Sequence, residues 1–174
     1  MQPAIPMLAR ALVTLGLVFW AGIAAAQLAD VDPDWKEIDV PPPPAFKTDG
    51  LVAIEMPRHI SVKFGVDPES LRITDDGIVR YVMVASSAGG NINAMYEGVR
   101  CLTGEVKTYA RYGASGHWSP VVDPQWKPLN GNQPSMHALA FARQGACDGR
   151  AATAQSPLAI ISRLKNPSAD NARR

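Results

Sequence analysis

Between Asp49 and Tyr112 the chain alternates short runs of β-branched and aromatic residues with breaks built from glycine, asparagine and aspartate. The longest run, Ile78 to Ser87 (IVRYVMVASS), predicts the principal strand. Asp75-Asp76-Gly77 is a tight turn before it, and Ala88-Gly89-Gly90-Asn91 turns it back into Ile92 to Cys101 (INAMYEGVRC). Thr103-Gly104 turns the chain again into Glu105 to Tyr112, and Ser115-Gly116 precedes an extended segment through Trp118. Leu51 to Met56 and Ile60 to Phe64 read as shorter strands separated by Pro57, with a helical turn at Val66 to Leu71. Consecutive strands joined by short glycine-containing loops imply an antiparallel β-meander. The period then changes. Met136, Leu139, Ala140 and Arg143 recur at helical spacing within Pro134 to Gln144, with Gly145 suited to the helix end. Ser156-Pro157 opens a second helix over Leu158 to Lys165. The expected fold is α+β: an antiparallel β-meander of four to six strands packed against one or two C-terminal helices.

The first twenty-six residues follow a different rule. Arg10 precedes an unbroken apolar run, Ala11 to Ala24, and Ala24-Ala25-Ala26 supplies the small residues a signal peptidase needs. Cleavage is expected between Ala26 and Gln27. The run is fourteen residues long, short of the ~20 a spanning helix needs. Gln27 stands where a lipoprotein would carry cysteine, so no stable membrane anchor is expected after cleavage. Expected localisation is therefore the periplasm, as an exported, soluble product. Residues 27–48 form a polar and Pro-rich segment, 49–165 a single globular domain, and 166–174 a disordered tail. The four-proline run Pro41 to Pro44 favours an extended polyproline II conformation. It reads as a stiff spacer, or alternatively as a docking peptide for an aromatic groove.

Removing 26 of 174 residues leaves 148, enough for one domain with a real core. It also removes one of 17 basic residues, which then balance the 16 acidic ones. A neutral chain offers no field for nucleic acid or anionic lipid. Two cysteines remain, Cys101 and Cys147. In an oxidising compartment an even pair reads as a structural disulfide. A redox pair or zinc site would need C-x-x-C or further ligands at fixed spacing, which the sequence lacks.

Several segments together carry a family signature. They are Asp32-Pro33-Asp34-Trp35-Lys36-Glu37, Ser70-Leu71, Gly77-Ile78-Val79-Arg80-Tyr81, Tyr109-Ala110 and above all Tyr96-Glu97-Gly98-Val99-Arg100-Cys101. From about Asp32 to Cys147 the chain resembles the cryptic neisserial protein-like family of exported Gram-negative proteins. The resemblance implies export and a disulfide and supplies no mechanism. The chain departs from the pattern in lacking a lipidation cysteine and in having Ala140-Phe141-Ala142 where the family's helix is Tyr-rich.

Glu97 is the main candidate for chemistry. Strand alternation puts it on one face with Met95, Val99 and Cys101, and puts Tyr96, Gly98 and Arg100 on the other. A core-facing carboxylate must be paired, hydrogen-bonded or protonated. It is either a general acid or base, or a structural group satisfied by backbone or by Arg80 or Arg111. The opposite face (Tyr96, Arg100, Lys107, Tyr109, Arg111) is either a binding surface or the solvated side of the sheet. In the register expected for the next hairpin, Val106, Thr108, Ala110 and Tyr112 share the Glu97 face, with a bulge allowed at Gly104. Trp118 and Trp126 flank a proline-rich stretch and either form a ligand platform or cover the core. His59, His117 and His137 lack ligand spacing, so no metal and no cofactor are expected; His137 reads as a packing or capping residue. Ser119 and Ser135 lack the glycine elbow of a serine hydrolase. The resulting expectation is a non-catalytic module binding an envelope component. The alternative is a small periplasmic hydrolase or lyase using Glu97.

Overall fold

The computed structural model describes residues 31–130, 136–152 and 156–166. The expected export segment with Ala26 and Gln27, Pro134 and Ser135 where the first helix was expected to open, and the tail beyond Asn166 lie outside them. The described residues belong to one compact unit beginning at Val31.

The strands form where β-branched and aromatic runs were expected. β1 is Val52–Ile54, β2 Lys63–Val66, β3 Arg72–Ile73, β4 Ile78–Ser86, β5 Ile92–Arg100 and β6 Glu105–Tyr112. β7 (Trp118–Pro120) and β8 (Lys127–Pro128) follow. The main sheet runs β1-β2-β4-β5-β6-β7, with β3 beside β4 and β8 beside β6. All its pairings are antiparallel. The architecture is therefore the α+β meander with C-terminal helices.

α1 covers Met136–Phe141 and continues as a wider π-type turn, Ala142–Ala146, so the expected helix ends early in regular form. Two-residue strands β9 (Cys147–Asp148) and β10 (Ala151–Ala152) pair next, before α2 (Pro157–Lys165). α2 seats against the turn because Gly145 has no side chain: a Cβ there would stand 3.0 Å from Leu164. Cys101, just past β5, is bonded to Cys147, with Cα atoms 5.6 Å apart. The link closes a span of 46 residues and on chain entropy contributes roughly 4 kcal/mol.

Both faces of the sheet are buried. The first packs Val79, Tyr81, Met83, Val99 and Val106 against Ala138, Phe141, Ile160 and Leu164 of the helices. The second packs Val82, Val84, Ala94, Tyr96, Tyr109 and Ala110 against Val40, Phe46 and Leu51. Residues 32–48 therefore do not behave as a spacer. They lie as a strap across the sheet, and the folded unit starts well before Asp49. The Pro41–Pro44 run cannot join a helix or an inner strand, so it spans the face extended, with aromatic contacts at its end.

Candidate functional site

β5 carries chemistry on both faces of the sheet. On the first, Glu97 is 2% exposed. The Tyr81 hydroxyl donates to its Oε2 at 3.1 Å, the Thr108 hydroxyl donates to Oε1 at 2.9 Å, and His137 Nε2 stands 2.9 Å from Oε2. Tyr81 and Thr108 are in place because they are Glu97's register partners on β4 and β6. His137 arrives from α1, and its ring is held flat on Phe64, with centroids 5.2 Å apart and planes inclined by 7°.

Burial pushes the Glu97 carboxyl up, but the charge interaction with His137 and the three hydrogen bonds outweigh it and hold the group below the usual carboxylate range. Burial and the Glu97 charge push the Tyr81 phenol well up, keeping it a donor. The partners expected for Glu97, Arg80 or Arg111, are not the ones found. Arg80 faces the other side, and Tyr81, Thr108 and His137 take the role. His137 is more than a packing residue, since it is the carboxylate's closest nitrogen partner.

A cleft of about 190 Å³ opens beside this cluster. Glu97, Thr108, His137 and Met95 line its inner side, and Arg111, Asp123, Gln125 and Lys127 its rim. Arg111 reaches it through a register shift. Glu97 pairs with Thr108 but Tyr96 pairs with Ala110, so Tyr109 is the extra residue of a bulge. The bulge lies here, not at Gly104. It moves Ala110 and Tyr112 onto the second face and brings Arg111 opposite Met95. The expected register holds from Glu97–Thr108 through Gly98–Lys107 and Val99–Val106 to Arg100–Glu105.

The second face is neither solvated nor an open binding surface: Tyr96, Arg100 and Tyr109 are buried under the strap. Glu37 of the strap organises it. Its Oε1 accepts from the Tyr109 hydroxyl at 2.6 Å and Arg80 Nη2 at 3.3 Å, and its Oε2 accepts from Lys107 Nζ at 2.8 Å. Arg80, 1% exposed, also donates Nη2 to Asp76 Oδ2 at 2.8 Å and bonds Thr74 through Nη1. Burial opposes the Asp76 charge, but Arg80 and Thr74 prevail and hold its carboxyl low. Desolvation and the bond to Glu37 push the Tyr109 phenol far up. The Arg100 guanidinium lies 3.5 Å over the Trp35 ring. Trp126 meets Trp35 edge-on at 6.2 Å. Trp118 donates Nε1 to Pro44 O at 3.2 Å and packs on Phe46 and Tyr112. Trp118 thus packs over the second core cluster, and Trp126 packs against Trp35 of the strap.

The CNP1-like family profile matches residues 30–165. The chain belongs to the CNP1-like family. A curated relative, "Cryptic neisserial protein 1" of Neisseria gonorrhoeae (strain ATCC 700825 / FA 1090), is 27% identical over 129 residues, covering 64% of this chain and 62% of the relative. The chain thus spans somewhat under two thirds of that relative's length. No solved structure matches.

The geometry gives each residue of the CNP1-like signature a task. Tyr96 packs on Tyr109, Glu97 binds His137, Arg100 lies over Trp35 and Cys101 forms the disulfide. Gly98 leaves room for Tyr109 to reach Glu37: a Cβ there would stand 2.5 Å from the Tyr109 hydroxyl and 2.7 Å from Ile78. Tyr81, Thr108, Glu37 and Asp76 were not singled out from sequence. Counting back from the turn at Gly89-Gly90 would have placed Tyr81 opposite Glu97. His117 and Ser119 are exposed and do not line the cleft, although Ser119 pairs with Arg111 across β6 and β7. Among the described residues, no group of three or more His, Cys, Asp or Glu is placed to hold a metal ion, and no helix is long and apolar enough to cross a membrane.

Proposed function

We propose that this CNP1-like protein is an exported periplasmic binding module that acts without catalysis, taking a small polar group of an envelope component into the cleft beside Glu97. The observation that supports this most is the division of labour in the cleft. Glu97 stands at the inner wall, almost wholly buried, with its carboxylate already held by three partners, which makes it a clamp on β4, β6 and α1. The rim side chains, Arg111, Asp123, Gln125 and Lys127, are the groups a ligand would meet first. Arg111 and Lys127 give the site a preference for anionic or strongly accepting groups.

The test is ligand-observed NMR on the folded protein with a soluble cell-wall and periplasmic extract as probe. Saturation transfer to extract components, lost in Arg111→Ala/Lys127→Ala, supports the reading. Absence of transfer refutes it. A second reading, a small hydrolase or lyase, is favoured by the 2.9 Å contact between His137 and Glu97 at the cleft wall. It predicts that extract signals are consumed with time, and that Glu97→Gln stops the loss while remaining folded.

A further inference from the structure

His137 borders a second cavity, of about 270 Å³, on the side of β2. Its donor atoms come from two short pieces of chain. Met56 and His59 flank a turn closed by Ile60 N donating to Pro57 O at 2.9 Å. Met136 and His137 are neighbours at the start of α1. All four line the cavity, together with Phe64 and Ser61. No carboxylate is among its lining residues.

We propose that this cavity is a binding site for a soft monovalent metal ion, copper(I) in the cell, held by the thioethers of Met56 and Met136 and the imidazoles of His59 and His137. Thioether and imidazole donors without carboxylates disfavour magnesium, calcium and manganese, which require oxygen, and suit copper(I). The surroundings of His137 match what a ligating histidine needs. Its Nε2 faces the Glu97 carboxylate at 2.9 Å, leaving Nδ1 as the ring nitrogen for a metal. A carboxylate behind a ligating histidine fixes ring orientation and raises its basicity. Stacking on Phe64 fixes the ring plane further. His59 is exposed, which gives an ion its first point of attachment. Met56 and Met136 are half-buried, line the same cavity and carry flexible stems that let a thioether adapt to what it meets. The site is separate from the cleft proposed above and shares with it only His137.

The test uses the disulfide-bonded protein. Silver(I) serves as a redox-silent probe followed by NMR, and copper(I) is titrated without oxygen against a chromophoric chelator. One equivalent of either ion is expected to bind, shifting the methyl signals of Met56 and Met136 and the ring signals of His59 and His137. Met56→Leu/Met136→Leu preserves size and apolarity and is expected to lose this capture. Arg111→Ala/Lys127→Ala is expected to keep it, which separates this result from failure of the cleft reading. Glu97→Gln is expected to weaken capture by about 10–100-fold, the scale of losing an outer-shell partner. The proposal is overturned if no saturable binding occurs, if the double methionine variant binds as the parent does, or if ions bind with both methionine methyl signals unmoved.

Discussion

The two faces of the central sheet bury charge in opposite ways. On the first, helices α1 and α2 cover an apolar surface that contains one carboxylate, and cavities remain on both sides of His137. On the second, an irregular strap covers a network in which Arg80, Asp76, Glu37 and Lys107 neutralise one another. Rigid helices touch a twisted sheet along a stripe and leave gaps at their ends. An extended strap follows the surface and fills it residue by residue. Among the described residues, both of these cavities border the helical side at His137, and the ion-pair network lies under the strap.

Breaking the strap side should cost most. Arg80→Ala leaves Asp76 without its buried counter-charge and Glu37 with Lys107 alone, and should lose about 3–5 kcal/mol of stability, read by urea unfolding. A loss under 1 kcal/mol would show that the network is open to water. Gly98→Ala is next: overpacking against Tyr109 should cost about 1–3 kcal/mol. Tyr109→Phe removes the nearest atom, so the double variant should be less damaged than the sum of the singles.

On the helical side, Glu97→Gln replaces an acceptor with a partial donor facing Tyr81, Thr108 and His137, and should cost about 1–3 kcal/mol. It also has a pH signature. Glu97 and Asp76 are held below their usual range in the folded state. Their stabilisation is present above the unfolded carboxylate pKa and is lost as pH falls through the folded values. Acid unfolding curves of Glu97→Gln and Asp76→Asn should therefore be flatter than the parent's, and parallel curves would refute this assignment. The smallest effect should be Trp118→Phe, which removes one hydrogen bond to Pro44 at about 0.5–1.5 kcal/mol and should loosen hydrogen exchange in Lys47 rather than in β5.

Much of the frame was legible because it is local. The turns at Asp75–Gly77 and Gly89-Gly90, the strand runs and Ser156-Pro157 each carry their signal within a few residues. Alternation alone told which residues share the face of Glu97, and the disulfide expected at Cys101 told that this face is the inner one. The strap's position did not, because a proline run states its own conformation and nothing about its docking surface. His137 lies 40 residues from Glu97, and no periodicity links them. The Tyr109 bulge has no glycine to announce it. The set of Met56, His59, Met136 and His137 escaped a search by histidine spacing, because half its donors are thioethers and the pieces meet only after folding.

The strap also has a consequence in time. Its contacts reach far along the chain: Glu37 to Lys107 spans 70 residues, Glu37 to Tyr109 spans 72, and Pro44 to Trp118 spans 74. A chain made from its N-terminus therefore produces Trp35, Val40 and Phe46 long before it makes the surface that shelters them. Its nearer contacts, to Asp67 and Asp76, can form once β4 has followed, but its seat on the second face is incomplete until β6 and β7 exist. Non-local closure of this kind slows folding and prolongs exposure to aggregation. The earliest part of the folding unit to be synthesised is thus fully sheltered only after some seventy further residues have followed it.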